Sequence, residues 1–219
     1  MLLIEPDFTR RIDLPGAGPC PRPVDIDQSV TGFADLVSLR VYAFAAGVTI
    51  HGEAEGDELF IVLMRGTIDL AVREGGEQVG VFSLDTGGES RAIYMPPGSE
   101  YYLTAQGDAD VAYARVRGEA ATTRRTRVFS SADGRTLGQA AGMTFALTSL
   151  EPGAVLDLAP SGSPAPERLV HLRSSGAGRA EIGGRPLGDW QTAVIGCGAD
   201  AVLTVDDGLV DILLVSAAV

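Results

Sequence analysis

Apolar and polar positions alternate in short runs along this chain, and turn-forming residues separate the runs. The alternation predicts strands over 37–44, 58–64, 67–72, 79–84, 92–95, 101–105 and 111–117, because successive strand side chains face opposite sides. A second set follows over 127–129, 143–150, 169–173, 180–182, 193–195, 201–205 and 210–216. Glu74-Gly75-Gly76, Asp85-Thr86-Gly87-Gly88, Pro96-Pro97-Gly98, Gly183-Gly184 and Asp206-Asp207-Gly208 punctuate both sets. Short strands at this spacing, with few helical patterns among them, predict an all-β sandwich or barrel. Tyr42, Phe44, Phe60, Val62 and Met64 share a phase that points inward and fills the first unit.

The two sets resemble each other. Phe44-Ala-Ala-Gly47-Val-Thr-Ile aligns with Leu150-Glu-Pro-Gly153-Ala-Val-Leu, and Glu58 to Gly66 aligns loosely with Glu167 to Gly176. Pro97-Gly98-Ser-Glu-Tyr-Tyr-Leu103-Thr104 aligns with Cys197-Gly198-Ala-Asp-Ala-Val-Leu203-Thr204. Three matches in one order argue for a duplicated unit of about 100 residues. The expected division is an N-terminal arm and loop over 1–36, a first barrel over 37–118, a linker over 119–126 and a second barrel over 127–219. Arg124 and Arg125 read as solvated linker charges, and the two barrels are expected to be separate and packed through sheet faces. The apolar start, Met1-Leu-Leu-Ile4, suits addition to a sheet edge, which makes the arm or a first-barrel face the expected contact of a homodimer.

Composition narrows the chemistry. A chain of 219 residues buries one large core or two small ones. Its formal net charge of -12 repels phosphate backbones and argues against a nucleic-acid partner. Every basic residue is Arg, so Schiff-base chemistry and a phosphate-loop lysine are excluded. Cys20 and Cys197 leave open one long-range disulfide or two idle thiols in a reducing compartment. No apolar run approaches the roughly 20 residues of a spanning helix, and no basic leader precedes an apolar core. The expectation is a cytoplasmic protein with no membrane partner. Only His51 and His171 carry imidazoles, which rules out a site built on several histidines in one chain.

His51-Gly-Glu53, then Glu58, then Gly66, and later Pro96-Pro97-Gly98-Ser-Glu-Tyr101, resemble the two signature motifs of the cupin superfamily. Against that pattern, His-x-His has become His51-x-Glu53 and the last His has become Tyr101. Two such barrels make a bicupin. Within bicupins, Ala92-Ile-Tyr-Met-Pro-Pro-Gly-Ser-Glu-Tyr-Tyr-Leu-Thr-Ala105 with Asp108-Ala-Asp-Val-Ala is similar to the first barrel of the 5-deoxy-glucuronate isomerase family. That family and its relative, 5-keto-4-deoxyuronate isomerase, interconvert an aldehyde sugar acid and its keto isomer. The resemblance implies tandem cupin barrels (double-stranded β-helices) and a Tyr at position 101 in a first barrel without metal. It also implies a zinc-type metal in the second barrel, held by several His and a Glu.

The second half departs from that pattern. It offers Asp157, Glu167 and His171 with no His-x-His, and His171 lies four residues past Glu167. The expectation is therefore no resident cofactor there and weak or no isomerase activity, with Tyr101, Asp157, Glu167, His171 and Arg173 left to bind a small sugar or organic acid. Strand alternation places 169, 171 and 173 on one face: inward, they line the barrel with Glu167, whereas the opposite phase buries Val170 and Leu172 and leaves His171 outside. An alternative is an active metal-dependent isomerase of carbohydrate catabolism, with Zn, Mn or Fe in the first barrel on His51, Glu53 and Glu58 and Tyr101 as a distal donor. That needs Gly52 to turn both flanking side chains inward; otherwise Glu53, Glu55, Asp57 and Glu58 are a solvated acidic loop. Trp190 reads either as packing or as a sugar-stacking platform. A last alternative is a purely structural bicupin.

Overall fold

Residues 1–118, 124–132, 135–140, 142–158, 166–174, 176, 178–197, 199 and 201–217 are described by the computed structural model. The predicted linker residues 119–123 lie outside them. Strands dominate, with one short helix among the described residues, at Gln28–Thr31. No helix among the described residues is long and apolar enough to cross a membrane.

Twelve strands form one large sheet. Its order is Leu2–Ile4, Thr192–Ile195, Glu167–Ser174, Val210–Ala217, Met143–Leu150, Arg135–Ala140, Arg127–Ala132, Ser90–Met95, Asp57–Arg65, Ala109–Arg117, Leu36–Phe44 and Val24–Asp27. Two four-stranded sheets face it. In the first half this is Thr49–Glu53, Ser99–Ala105, Thr67–Glu74 and Glu77–Asp85. In the second it is Val155–Asp157, Val202–Asp207, Arg179–Ile182 and Arg185–Leu187. The neighbour order is the same in both halves, as the aligned segments imply. Gly47 and Gly153 show the likeness at atomic level, since both sit at positive φ, where glycine alone avoids strain. Gly47 N–H donates to the Ala105 carbonyl and Gly153 N–H to that of Val205, each at 2.8 Å.

The expectation of two separately closed barrels is corrected. Ser90–Met95 pairs with Arg127–Ala132, so the start of the second half completes the first-half sheet and the large sheet runs unbroken between them. In return Leu2–Ile4 pairs with Thr192–Ile195, which places the N-terminal strand on the second half. Its apolar residues do cover a sheet edge, but an edge of their own chain. Of the two arginines read as solvated, Arg125 is indeed exposed, whereas Arg124 donates to the buried Glu58. Arg125 and Thr126 donate to Glu74 at 3.1 and 2.7 Å. Burial opposes ionisation of Glu74, but the hydrogen bonds from Thr126 and Arg125 outweigh it and hold its carboxyl below the usual range.

Three apolar clusters follow from this curl. Leu59, Ile61 and Leu63 pack with Ile50, Leu70 and Leu103 inside the first half. Val170, Leu172 and Ile212 pack with Ile182 and Leu203 inside the second. The third cluster lies between the halves, where Phe60, Val62 and Met64 meet Phe129, Phe145, Leu169 and Leu213. Phe60, Val62 and Met64 were expected inside the first barrel beside Tyr42 and Phe44; they occupy the opposite face. Both faces of Asp57–Arg65 are apolar, so alternation alone leaves its phase undetermined.

Candidate functional site

Tyr101 and Gly52 occupy opposed positions on adjacent strands. The tyrosine ring lies directly over Gly52, and any Cβ there would overlap its ring and hydroxyl. Gly52 therefore faces inward beneath a buried phenol, and His51 and Glu53 take the other face by alternation. His51 stacks on the half-exposed Tyr102 with ring centroids 4.7 Å apart, and Glu53 is exposed. Glu58 is 0% exposed and shares the phase of Phe60, toward the other half. It accepts from the Tyr94 hydroxyl at 2.8 Å and from Arg124. The sequence-derived trio of His51, Glu53 and Glu58 is thus not brought together, because Gly52 lies within a regular strand and does not turn its neighbours inward.

What the first half does assemble is a polar cavity of about 170 Å³, lined by Tyr42, Tyr101, Tyr113, Arg40 and Arg115, with Leu14 at its edge. The segment His51-Gly52-Glu53 and Glu55 border it as well, so that His51, Glu53 and Tyr101 of the predicted residues meet here without Glu58. Tyr113 lies opposite Arg40 in the strand register, and Tyr42 and Arg115 follow two residues along. The recurring signal in the sequence is Arg40-Val-Tyr42 beside Tyr113-Ala-Arg115, a period of two that points an arginine and a phenol to one side. Arg22 donates to the Tyr42 hydroxyl at 3.2 Å and to Asp25 at 2.6 Å. Arg115 donates to the Ala54 and Glu53 carbonyls at 3.0 and 2.5 Å. Tyr101 and Tyr113 influence each other's ionisation, and burial is the main force pushing both phenols up. They stay protonated at neutral pH. The cavity can hold and orient a ligand through hydroxyls and guanidiniums, and His51, whose Nε2 is buried without a partner, borders it too.

The second-half candidates also separate. Asp157 is exposed on the small sheet. Glu167 accepts from three backbone N–H groups of the first half, those of Ala34, Asp35 and Leu36, the last two at 3.1 and 2.8 Å. Arg173 donates to Asp110 of the first half at 2.6 Å, donates to Asp189, and lies 4.1 Å over the Trp190 ring. Its neighbour His171 is fully buried, with Nδ1 2.9 Å from the Thr192 hydroxyl. Desolvation, with the nearby Arg173 charge, pulls its pKa down to about 3, so the ring is neutral.

The strand phase explains this placement. Val170 and Leu172 do point into the second unit, as the second of the two phases requires. The outer face is not solvent, however, because it packs against the first half. The expected exposure of His171 is corrected for that reason, and Trp190 is packing in the same core. These residues do not fit the metal that the resemblance implies for the second half. Glu167, His171 and Asp157 face different surroundings, and no three His, Cys, Asp or Glu side chains among the described residues group as metal ligands would.

Known folds agree with this architecture. An IolB-like protein from Salmonella typhimurium superposes with a TM-score of 0.71 at 14% identity, over 100% of this chain and 93% of that one. Protein Ylba from Escherichia coli gives 0.71 at 18% identity, over 98% and 90%. A mutant of Bacillus subtilis oxalate decarboxylase gives 0.67 at 10% identity, over 99% and 77%. At such identities these similarities establish the fold, a cupin-type β structure. No curated protein matches the sequence. The KduI/IolB family matches residues 21–143, which takes in the first-half sheets and the two strands that bridge to the second half. With more than half its length matched, the chain belongs to the KduI/IolB family.

Proposed function

We propose that this protein binds a small sugar acid or organic acid and has weak or no isomerase activity. Its family is one of isomerase-like cupins, so a sugar acid is the ligand class that lineage favours. The observation that carries the reading is the engagement of the second-half donors. Glu167 is saturated by three backbone N–H groups, and Arg173 is paired with two carboxylates. His171 is a neutral ring within the core between the halves. Metal-assisted isomerisation needs a cation that polarises the carbonyl and a base of suitable pKa beside it. Side chains so committed supply neither.

The test combines three measurements on protein purified without chelator: elemental analysis, turnover of 5-deoxy-glucuronate, and thermal shift with sugar acids. The expected result is a ligand-induced rise in Tm with no stoichiometric metal and no turnover. One metal per chain, with turnover abolished by His51→Ala, would overturn the reading and make the first half an active site.

A further inference from the structure

The Tyr113 hydroxyl is enclosed in the first-half cavity on a residue only 5% exposed; it lies within influence of the Tyr101 hydroxyl but makes no hydrogen bond of normal geometry. Buried phenols nearly always find a partner, and each exception asks for an explanation. Beside it, Arg40 Nε is also buried and makes no hydrogen bond of normal geometry, although it lies 3.4 Å from an Asp25 oxygen. Both orphan groups are donors that sit opposite each other in the strand register. Their natural complement is an acceptor-rich group, above all a carboxylate.

The walls around them are engaged in part: Arg22 Nε and His51 Nε2 are also buried without a partner, and Glu53 and Glu55 border the cavity. Arg115 is anchored to two backbone carbonyls and faces Glu55 and Asp57. Arg22 is held by Asp25 and Tyr42. These contacts pre-set the cavity before any ligand arrives, which reduces the ordering that binding requires. The N-terminal hairpin of Arg11–Leu14 and Gly18–Pro21 packs over this end of the first half. Leu14 borders the cavity, and the Pro15 carbonyl accepts from His51 N–H at 3.1 Å. A volume of about 170 Å³ is well below that of a drug-sized pocket and suits a ligand of a few carbons up to a single sugar unit.

We infer that the first-half cavity is the binding site for a small carboxylate, with Tyr113 Oη and Arg40 as the groups that read its oxygens. This rests on the proposal that the protein binds a sugar or organic acid, and it assigns that ligand to the half in which the metal was not expected. The phenols remain protonated, so the site binds its ligand as a hydrogen-bond donor and the carboxylate carries the negative charge.

Isothermal titration of the full chain with D-glucuronate, D-galacturonate and D-glycerate, against D-glucose as the neutral comparison, tests the assignment. At least one carboxylate should bind more tightly than D-glucose by tenfold or more. Tyr113→Phe should weaken that binding at least tenfold while leaving the ligand-free Tm unchanged or raised, since it removes an orphan hydroxyl. Arg40→Gln should weaken it likewise. Leu14→Phe, which crowds the cavity without touching either donor, should abolish it and keeps the test decisive should Arg40→Gln not fold.

Carboxylate binding undiminished in Tyr113→Phe and Leu14→Phe would overturn the site while leaving acid binding by the protein intact. Binding of no carboxylate by the unmodified chain, as expected if only water fills the cavity, would overturn both. D-glucose binding as tightly as the acids would overturn the carboxylate assignment.

Discussion

Arg173 from the second half meets Asp110 from the first at 2.6 Å, and both side chains are only 8% exposed. The guanidinium also lies 4.1 Å over Trp190 and donates to Asp189. Trp190 adopts a positive φ of 65°, a conformation that is strained for a bulky side chain. The turn is held there by its own N–H, which donates to the Leu172 carbonyl at 2.9 Å, and by Ser174 N–H, which donates to Asp189 at 2.7 Å. The charged contact thus aligns the two halves and does not line a barrel.

Removing Asp110 leaves the buried Arg173 guanidinium with Asp189 alone. Asp110→Ala should lower unfolding free energy by about 1.5–3 kcal/mol, whereas the double change Asp110→Leu with Arg173→Met should cost less. Urea denaturation of the single and double variants measures the difference. Equal losses in the two would show that the pair is not the unit that matters.

Glu167 ties Glu167–Ser174 to the backbone at 34–36 through charge-assisted hydrogen bonds. Glu167→Gln replaces one acceptor oxygen by a donor that faces an N–H, so a loss of about 2–4 kcal/mol is expected. Thermal unfolding checks this, alongside ligand titration. Unchanged stability together with lost ligand binding would make Glu167 a ligand residue instead.

His171 has its folded pKa near 3 against an ordinary value of 6.5. The unfolded chain therefore binds a proton that the folded chain refuses between those values. Stability is full above pH 6.5 and falls as the pH drops toward 3, by up to about 1.4 kcal/mol per unit from this group. His171→Asn removes the titration, so its unfolding free energy should fall less than the wild type's between pH 7 and pH 5. Parallel urea curves at the two pH values would count against a neutral buried imidazole.

Gly52→Ala puts a methyl group into the Tyr101 ring. Crowding of this kind costs about 1–3 kcal/mol. The penalty should shrink in a Tyr101→Leu background, because leucine lacks the atoms that overlap. Equal penalties in both backgrounds, read by urea unfolding, would mean that the ring is not the obstacle.

Much of the site was hidden from the sequence because its signals were of types shared by many surfaces. Tyr101 was legible through its motif. Tyr42 was legible only as an inward aromatic, and Tyr113, Arg40 and Arg115 look like ordinary strand residues until the register sets Tyr113 against Arg40. The ligand trio His51, Glu53 and Glu58 failed for a definite reason. Residues two apart share a face, but Gly52 is the inward residue here, since only a glycine fits beneath Tyr101.

Local patterning by itself determined the β class, the repeated pattern and most strands inside the two halves, since alternation and turn residues act within a few positions; it missed Thr49–Glu53, Arg135–Ala140, Val155–Asp157 and Arg185–Leu187. The glycines that align, Gly47 and Gly153, determined even matching hydrogen bonds. Tertiary structure alone decided which face of a two-sided apolar strand is the inside. Asp57–Arg65 and Glu167–Ser174 are buried on both faces, so their sequences carry no preference. The phase is settled when the large sheet curls and the halves pack back to back. That packing turned Glu58, Glu167, His171 and Arg173 toward the seam between the halves. It also sent the first strand of each half onto the other's sheet, a pairing between residues too distant for any local pattern to encode.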